Sequence, residues 1–385
     1  MADLLIKNGR LLDPAAEIDG RLDILIRGGR VETFGAHLAA VGAKIIDARG
    51  LLVVPGLIDV HLHLMTGLGA FGADPDVFGV GSGVTTVVDA GSTGHSLFPI
   101  FRRHIAEPAR TRVLAYVNLS TLGSVAGPGY STLEDPRLID EAKIEAAVEK
   151  HRDMIVGIKV MATGAALGKA GLEPLRRARR LGDNLHLPLL VHIGESWSNT
   201  ADPPPVVNVL AHLKPGDIVT HMFTMHRGGL LDANGELWPE VLDAAAAGVM
   251  FDVGHGLHNF NFEVAQRVLD QGLTPDGVST DGHRGNRAGP VYDLPTTMAK
   301  LLALGFGIED VVHMTTVRAA KLLGRSDLGS IRVGAEADLS VLRLEEREWQ
   351  ARDSQAGTLA ARQALVPVMA IRGESVYEAL ALDRP

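Results

Sequence analysis

The sequence predicts an α/β protein built as a (β/α)8 TIM barrel, with a small β-sandwich domain assembled from both termini. Three observations carry that prediction. Eight short β-rich runs recur between residues 52 and 283, separated by stretches whose apolar residues repeat at three- and four-residue intervals. Residues 1–52 and the region from 328 onward have a different texture, partly alternating and broken by turn dipeptides such as Asn-Gly and Gly-Gly. Polar residues inside the apolar runs fall near the C-terminal ends of those runs, where a barrel gathers its functional groups.

The N-terminal segments LLIKNGRLLD, DILIRGGRVETFG and KIIDARG read as small antiparallel strands. LLVVPGLIDVHLH then opens the barrel. VTTVVDAG (84–91), TRVLAYVNLS (111–120), MIVGIKVMAT (154–163), LPLLVHIGE (187–195), DIVTHMFT (217–224), GVMFDVGHG (248–256) and GVSTDGH (277–283) complete the eight. DEAKIEAAVEKHRDM, LEPLRRARRLGDNL, PPVVNVLAHL, WPEVLDAAAAG and FEVAQRVLDQGL are the clearer helices between them, and two more helical patterns lie around 291–305 and 308–324. Strand texture returns at 329–344 and 364–378. The expected partition is a barrel over 53–327 and a small domain from 1–52 with 328–385. An open doubly wound sheet also fits the alternation; eight strands in a chain of 385 residues favour closure.

Composition narrows the function classes. The formal net charge is −9 and no basic stretch is long enough to track a phosphate backbone, which argues against nucleic acid as a partner. With no cysteine, neither disulfides nor thiolate chemistry contribute. No apolar run reaches membrane-spanning length, and MADLLIKNGRLLDP lacks a basic start followed by an apolar core, so a soluble cytoplasmic protein is expected.

The chemistry-bearing residues follow from strand geometry. His61 and His63 sit at i and i+2 and share a face, so they can grip one metal ion; alone they could equally be two loop histidines. They are not alone. Lys159 interrupts VGIKVMA, His192 ends LPLLVHIG, His221 lies in DIVTHMF and Asp281 closes GVSTDG. Imidazole nitrogen and carboxylate oxygen are the usual ligands of catalytic zinc. A lysine inside an apolar strand costs several kcal/mol of desolvation unless paired or neutral. A neutral amine there can capture CO2 as a carbamate, whereas pairing with Asp281 or Glu195 would leave an ordinary ammonium.

These residues, with PGLIDVHLH, GIKVMA and STDGH, resemble the amidohydrolase superfamily, as do the flanking pieces LLIKNGRLLDP, IDARGLLVVPG and GSIRVGAEADLSVL. The nearest branch looks like the two-metal dihydroorotase- and deacetylase-like members. The resemblance implies that His61, His63 and Asp281 hold one divalent ion, that His192 and His221 hold the other, and that a CO2-derived carbamate on Lys159 bridges two zinc ions. It implies hydrolysis of an amide, or a related ester, by a metal-bridging hydroxide with Asp281 as the catalytic proton acceptor, and association into homo-oligomers.

Substrate signals are weaker. A dihydroorotase-like enzyme carries Arg where this chain has Met65, and hydantoinase-type enzymes place a Tyr where this chain has Gly164. Both departures favour a small open-chain acyl compound, such as an N-acyl amino acid, over a cyclic amide. Arg284 and Arg287 suit a carboxylate on that substrate or simply face solvent, and His255 is a candidate donor or a plain loop histidine. The glycine-rich run 162–171, which includes Gly164, either approaches a ligand through its backbone N–H groups or only connects elements. His192-Ile-Gly-Glu195 resembles a motif of mononuclear deaminases, although Gly282 stands where those enzymes have a second Asp. A non-catalytic scaffold is the remaining alternative.

Overall fold

The computed structural model describes residues 3–69, 71–127, 130–382 and 384. Seven parallel strands form one curled sheet in chain order: β1 (Leu57–Leu62), β2 (Val84–Gly94), β3 (Arg112–Asn118), β4 (Ile155–Met161), β5 (Leu189–His192), β6 (Ile218–Thr220) and β7 (Met250–Asp252). The eighth run, 277–283, forms no strand of its own. It bridges both edges of the sheet, pairing Gly282 with Leu62 of β1 and Gly277 with Asp252 of β7. Backbone bonds from His63 to Gly282 and from His255 to Ser279 continue those edges. Buried Asp59 of β1 secures the seam, accepting the Thr280 N–H and hydroxyl at 3.1 and 2.6 Å. The sheet therefore closes on itself in a TIM-barrel-type fold.

Period-two alternation sorts the side chains along each strand. Tyr116 precedes Asn118, Leu190 precedes His192 and Ile218 precedes Thr220, each pair on one face. The apolar members pack into one cluster with Ala319, Ala320 and Leu322 of the helix Val317–Leu322. The polar members are thus lifted to the C-terminal ends of the strands. Helices cover the outside as their periodicity predicts. Glu173–Leu185 buries Leu175, Ala178, Leu181 and Leu185, and Glu141–Lys150 starts where Asp140 accepts the Lys143 N–H.

The terminal segments form a four-stranded sheet from residues 4–47 and a six-stranded sheet that mixes both ends of the chain. Buried residues of the two sheets, among them Ile6, Ile24, Val53, Leu339 and Ile371, form one hydrophobic cluster. One feature exceeds the expectation. The strands near 329–344 and 364–378 are parts of a ribbon, Asp338–Arg352 paired with Thr358–Arg372, each 15 residues long. Its distal half buries Ala351, Ala361 and Leu365 against the main core, and its tip reaches the C-terminal side of the barrel. The charged residues of EEREWQAR hid this strand, because one face of a two-stranded ribbon lies in solvent. Among the described residues no helix is long and apolar enough to cross a membrane.

Candidate metal centre

β1 ends by aiming His61 and His63 at Asp281 from the seam. Nε2 of each ring lies 3.5 and 3.3 Å from Asp281 Oδ1, and the three residues can place ligand atoms within 4.8 Å of one another. The outer nitrogens are already committed. His61 Nδ1 meets Thr220 Oγ1 at 3.0 Å, and His63 Nδ1 meets Ser92 Oγ at 3.0 Å. Because the Thr220 hydroxyl donates to Asp252 at 2.7 Å, it can only accept from His61, which leaves the Nε2 lone pair facing inward.

A second pair sits beside the first. His192 Nδ1 and His221 Nε2 are 2.9 Å apart, while His221 Nδ1 donates to the Gly254 carbonyl at 2.6 Å. Burial pushes the His221 imidazole down to about 4 and holds His61 and His192 well below the ordinary histidine value, so all three rings are neutral near pH 7. Neutral imidazoles with lone pairs converging on one point are the donor set a divalent cation needs. His221 and Asp281 also adopt positive φ values of 74° and 46°, a conformation that non-glycine residues hold at a cost and that clusters at functional sites.

Lys159 lies between the two groups, 2 % exposed, with Nζ 3.5 Å from His61 Nε2. Among the described residues no carboxylate is within ion-pairing distance of it, so the ordinary pairing with Asp281 or Glu195 does not occur. Burial lowers its pKa to about 8. Gly91 makes room for it: a Cβ there would stand 2.6 Å from the Lys159 Cβ, closer than carbon atoms approach. Burial would raise the Asp281 carboxyl, but its hydrogen bond to His63 and the surrounding imidazoles outweigh that, and it is held below the usual carboxylate range. Of the six expected metal-binding residues, His63, Lys159, His192 and Asp281 line one cavity, with His61 and His221 buried against them, and His61, His63 and Asp281 are placed as one cation would need.

The substrate expectations fare differently. His255 is fully buried behind the wall, stacked on Phe260 at 4.4 Å with its Nε2 2.7 Å from Lys300 Nζ. It does not reach the cavity. Arg287 lies over the Phe78 ring, donates through Nη1 to Ser82 and to the Tyr292 carbonyl, and is not among the described residues lining the cavity, so the expected carboxylate fork is not formed there. Arg284 is exposed outside the wall. Gly164 is buried against the backbone of Asp202, and Ala166, two residues on, is the one that lines the cavity. Glu195 accepts the backbone N–H groups of Ala165, Trp197 and Ser198 at 2.7, 2.8 and 2.9 Å, which makes it a loop organiser.

Other residues complete the site. The cavity, about 740 Å3 counting its open mouth, is lined above the ligands by Phe71, Trp197, His258, Asn259 and His283. Asp59, Asp89 and Asp252 stand behind the ligands; burial raises all three, Asp59 to about 7 and Asp252 to about 6. A signal for them existed: each is an acid inside an apolar strand run, as Lys159 is.

Comparison with known proteins agrees with this geometry. Residues 257–368 match the family model described as the amidohydrolase family. A deacetylase of Agrobacterium fabrum, Atu3266, is 35 % identical, the match covering 94 % of this chain and 87 % of that protein. A crystal structure described as a dihydroorotase superposes with a TM-score of 0.91 at 31 % identity, covering 100 % of both chains. One described as an adenine deaminase gives 0.90 at 32 %, covering 98 % of this chain and 100 % of that one. Such similar scores for structures with different activities in their descriptions mean that overall likeness fixes the family and leaves the reaction to the site. On sequence, fold and site together, this chain belongs to the amidohydrolase superfamily.

Proposed function

We propose that this protein is a two-metal hydrolase that cleaves the amide, or a related ester, bond of a small open-chain acyl compound. The single observation behind the reading is the convergence of His61, His63, Asp281, His192 and His221 around a buried Lys159 that makes no direct ion pair among the described residues. In this reading His61, His63 and Asp281 hold one ion and His192 and His221 the other. Zinc suits the nitrogen-rich donors. Burial brings the Lys159 amine close enough to neutrality that its uncharged form would add to CO2 with loss of one proton, and the resulting carbamate anion would offer oxygen donors to the ions. Divalent ions there supply the lowered pKa of water and the polarisation of an acyl carbonyl.

The chain's own groups do the rest. Asp281 Oδ1 faces the two imidazoles, with His63 the one that hydrogen-bonds the carboxylate, so Oδ2 would be the atom that takes the proton of the attacking water and returns it to the leaving nitrogen or oxygen. Met65 and Gly164, in place of the arginine and tyrosine expected of ring-opening relatives, favour the open-chain substrate. We assign the barrel to residues from Leu57 to 327, later than the expected start at 53 because Leu52–Pro55 pairs in the six-stranded sheet, and read the two terminal sheets, through Pro55 and from 328 onward, as the small sandwich domain.

Deamination is the second reading, because one structure of comparable similarity is described as an adenine deaminase. Against it, the carboxylate of Glu195 is spent on three backbone N–H groups. The test is an activity screen of metal-loaded protein across N-acyl amino acids of both configurations, acyl hydroxy acids, hydantoins, dihydroorotate and adenine derivatives. Hydrolysis of the open-chain compounds supports the proposal; turnover confined to cyclic amides or to adenine overturns it.

A further inference from the structure

We infer that Phe71 and Trp197 form a subsite for an aromatic ring on the substrate, and that the Trp197 indole N–H donates a hydrogen bond to a neutral oxygen of that substrate. The inference rests on the hydrolase reading and adds a substrate class to it: acyl compounds with an uncharged aryl group beyond the scissile bond.

Aromatic residues are only 4 % of this chain, and three are tryptophan. Rings nonetheless crowd one side of the cavity in a succession of tilted and edge-to-face contacts. The ring centroids of His63 and Phe71 are 6.2 Å apart, those of Phe71 and Trp197 6.0 Å, and those of Trp197 and His258 5.2 Å. His283 meets Phe71 edge-on at 4.9 Å. The series begins on a ring assigned to metal binding and runs outward along the wall, so a bound ring in it would be continuous with the reacting bond. Offset and edge-to-face contacts with a further ring are what such an arrangement offers.

A polar observation agrees independently. Trp197 lines the cavity, and its Nε1 is buried with no hydrogen-bond partner among the described residues. A buried donor without an acceptor is unfavourable, and a ligand oxygen would satisfy it. Glu195 holds the loop that presents this indole by accepting the Trp197 N–H at 2.8 Å. The wall is also electrically plain. Apart from Lys159 on the floor, the described lining residues include no arginine or lysine, so an uncharged group is the better match for its remote end.

The experiment compares hydrolysis of N-benzylacetamide and N-hexylacetamide by the metal-loaded enzyme, and follows tryptophan emission as each is titrated. The wild type is expected to favour the benzyl compound by roughly tenfold in kcat/KM, with a saturable emission change. Phe71→Leu should bring the benzyl-to-hexyl ratio towards one. Trp197→Phe, which keeps a ring and removes the N–H, should raise KM for the benzyl compound and abolish the emission change at unaltered metal content. Equal kcat/KM for the two compounds, or no saturable emission change, would overturn the inference. A response to adenine and none to N-benzylacetamide would also overturn it, assigning the rings to a nucleobase. Saturable emission without hydrolysis of either amide would leave the ring subsite standing and remove the hydrolase reading instead.

Discussion

His61 and Asp252 are joined through one hydroxyl. His61 Nδ1 lies 3.0 Å from Thr220 Oγ1, which donates to Asp252 Oδ2 at 2.7 Å, while the direct separation of ring and carboxylate is 3.8 Å. Ser279 donates to the same carboxylate, so three neighbouring segments of the barrel fix the orientation of one ring. Thr220→Val keeps the shape and removes the relay. It should weaken metal affinity by ~10–100-fold, read by competition with a chelator, and leave the fold intact by circular dichroism.

Lys159→Met removes the amine proposed to bridge the ions. Metal content should fall below that of the wild type and kcat by orders of magnitude. Because the missing group is a carboxylate equivalent, Lys159→Ala should regain part of its activity in added acetate or propionate. Full metal content and full activity in Lys159→Met would remove the lysine from the centre.

Asp281→Asn preserves size and one ligand oxygen while removing the proton acceptor. Retention of most of the metal, with kcat lowered by orders of magnitude, is expected. Near-normal turnover would take Asp281 out of proton transfer.

Much of this site was legible because a charged or titratable residue inside an apolar β run has few tolerable fates. His61, His63, Lys159, His192, His221 and Asp281 all announce themselves that way. The same signal marked Asp59, Asp89 and Asp252, yet their task is to brace the ligands and the seam, and alternation cannot distinguish a ligand from its brace. His255 and Arg287 show the opposite limit. Each lies in a loop close to the site in sequence, but the loop's path turns His255 onto Phe260 and Arg287 onto Phe78. The eighth barrel segment and the long ribbon were legible only in part, since one pairs through isolated bridges and the other exposes a charged face.

The ribbon tip predicts a positioning role. Ser354 donates to the Gly256 carbonyl at 2.9 Å and Gln355 to the His258 carbonyl at 3.1 Å, which anchors the loop that places His258 and Asn259 in the cavity wall. Ser354→Ala should raise KM several-fold with metal content unchanged. Asp353→Ala should destabilise the fold by ~1–3 kcal/mol, because its carboxylate accepts the Phe262, Gln355 and Gly357 N–H groups; urea unfolding measures it.

Lys300 predicts a pH dependence of stability. Burial lowers its pKa to about 7, against an ordinary value of 10.5 in the unfolded chain. Between those values the unfolded chain holds a proton that the native state lacks, so this residue makes stability rise with pH through that window, by at most about 1.4 kcal/mol per pH unit. Below 7 its cost is fully present. The stability of the wild type relative to Lys300→Met should therefore increase from pH 7 to pH 10, and a flat difference would contradict the assignment.

A metal count on active protein, by elemental analysis alongside hydrolysis of an N-acyl substrate, decides whether two ions share this site. About two divalent ions per chain are expected, with activity lost on chelation and restored by zinc supplied with bicarbonate. Full hydrolytic activity with one ion or none per chain, or restoration indifferent to bicarbonate after exhaustive CO2 removal, would contradict it.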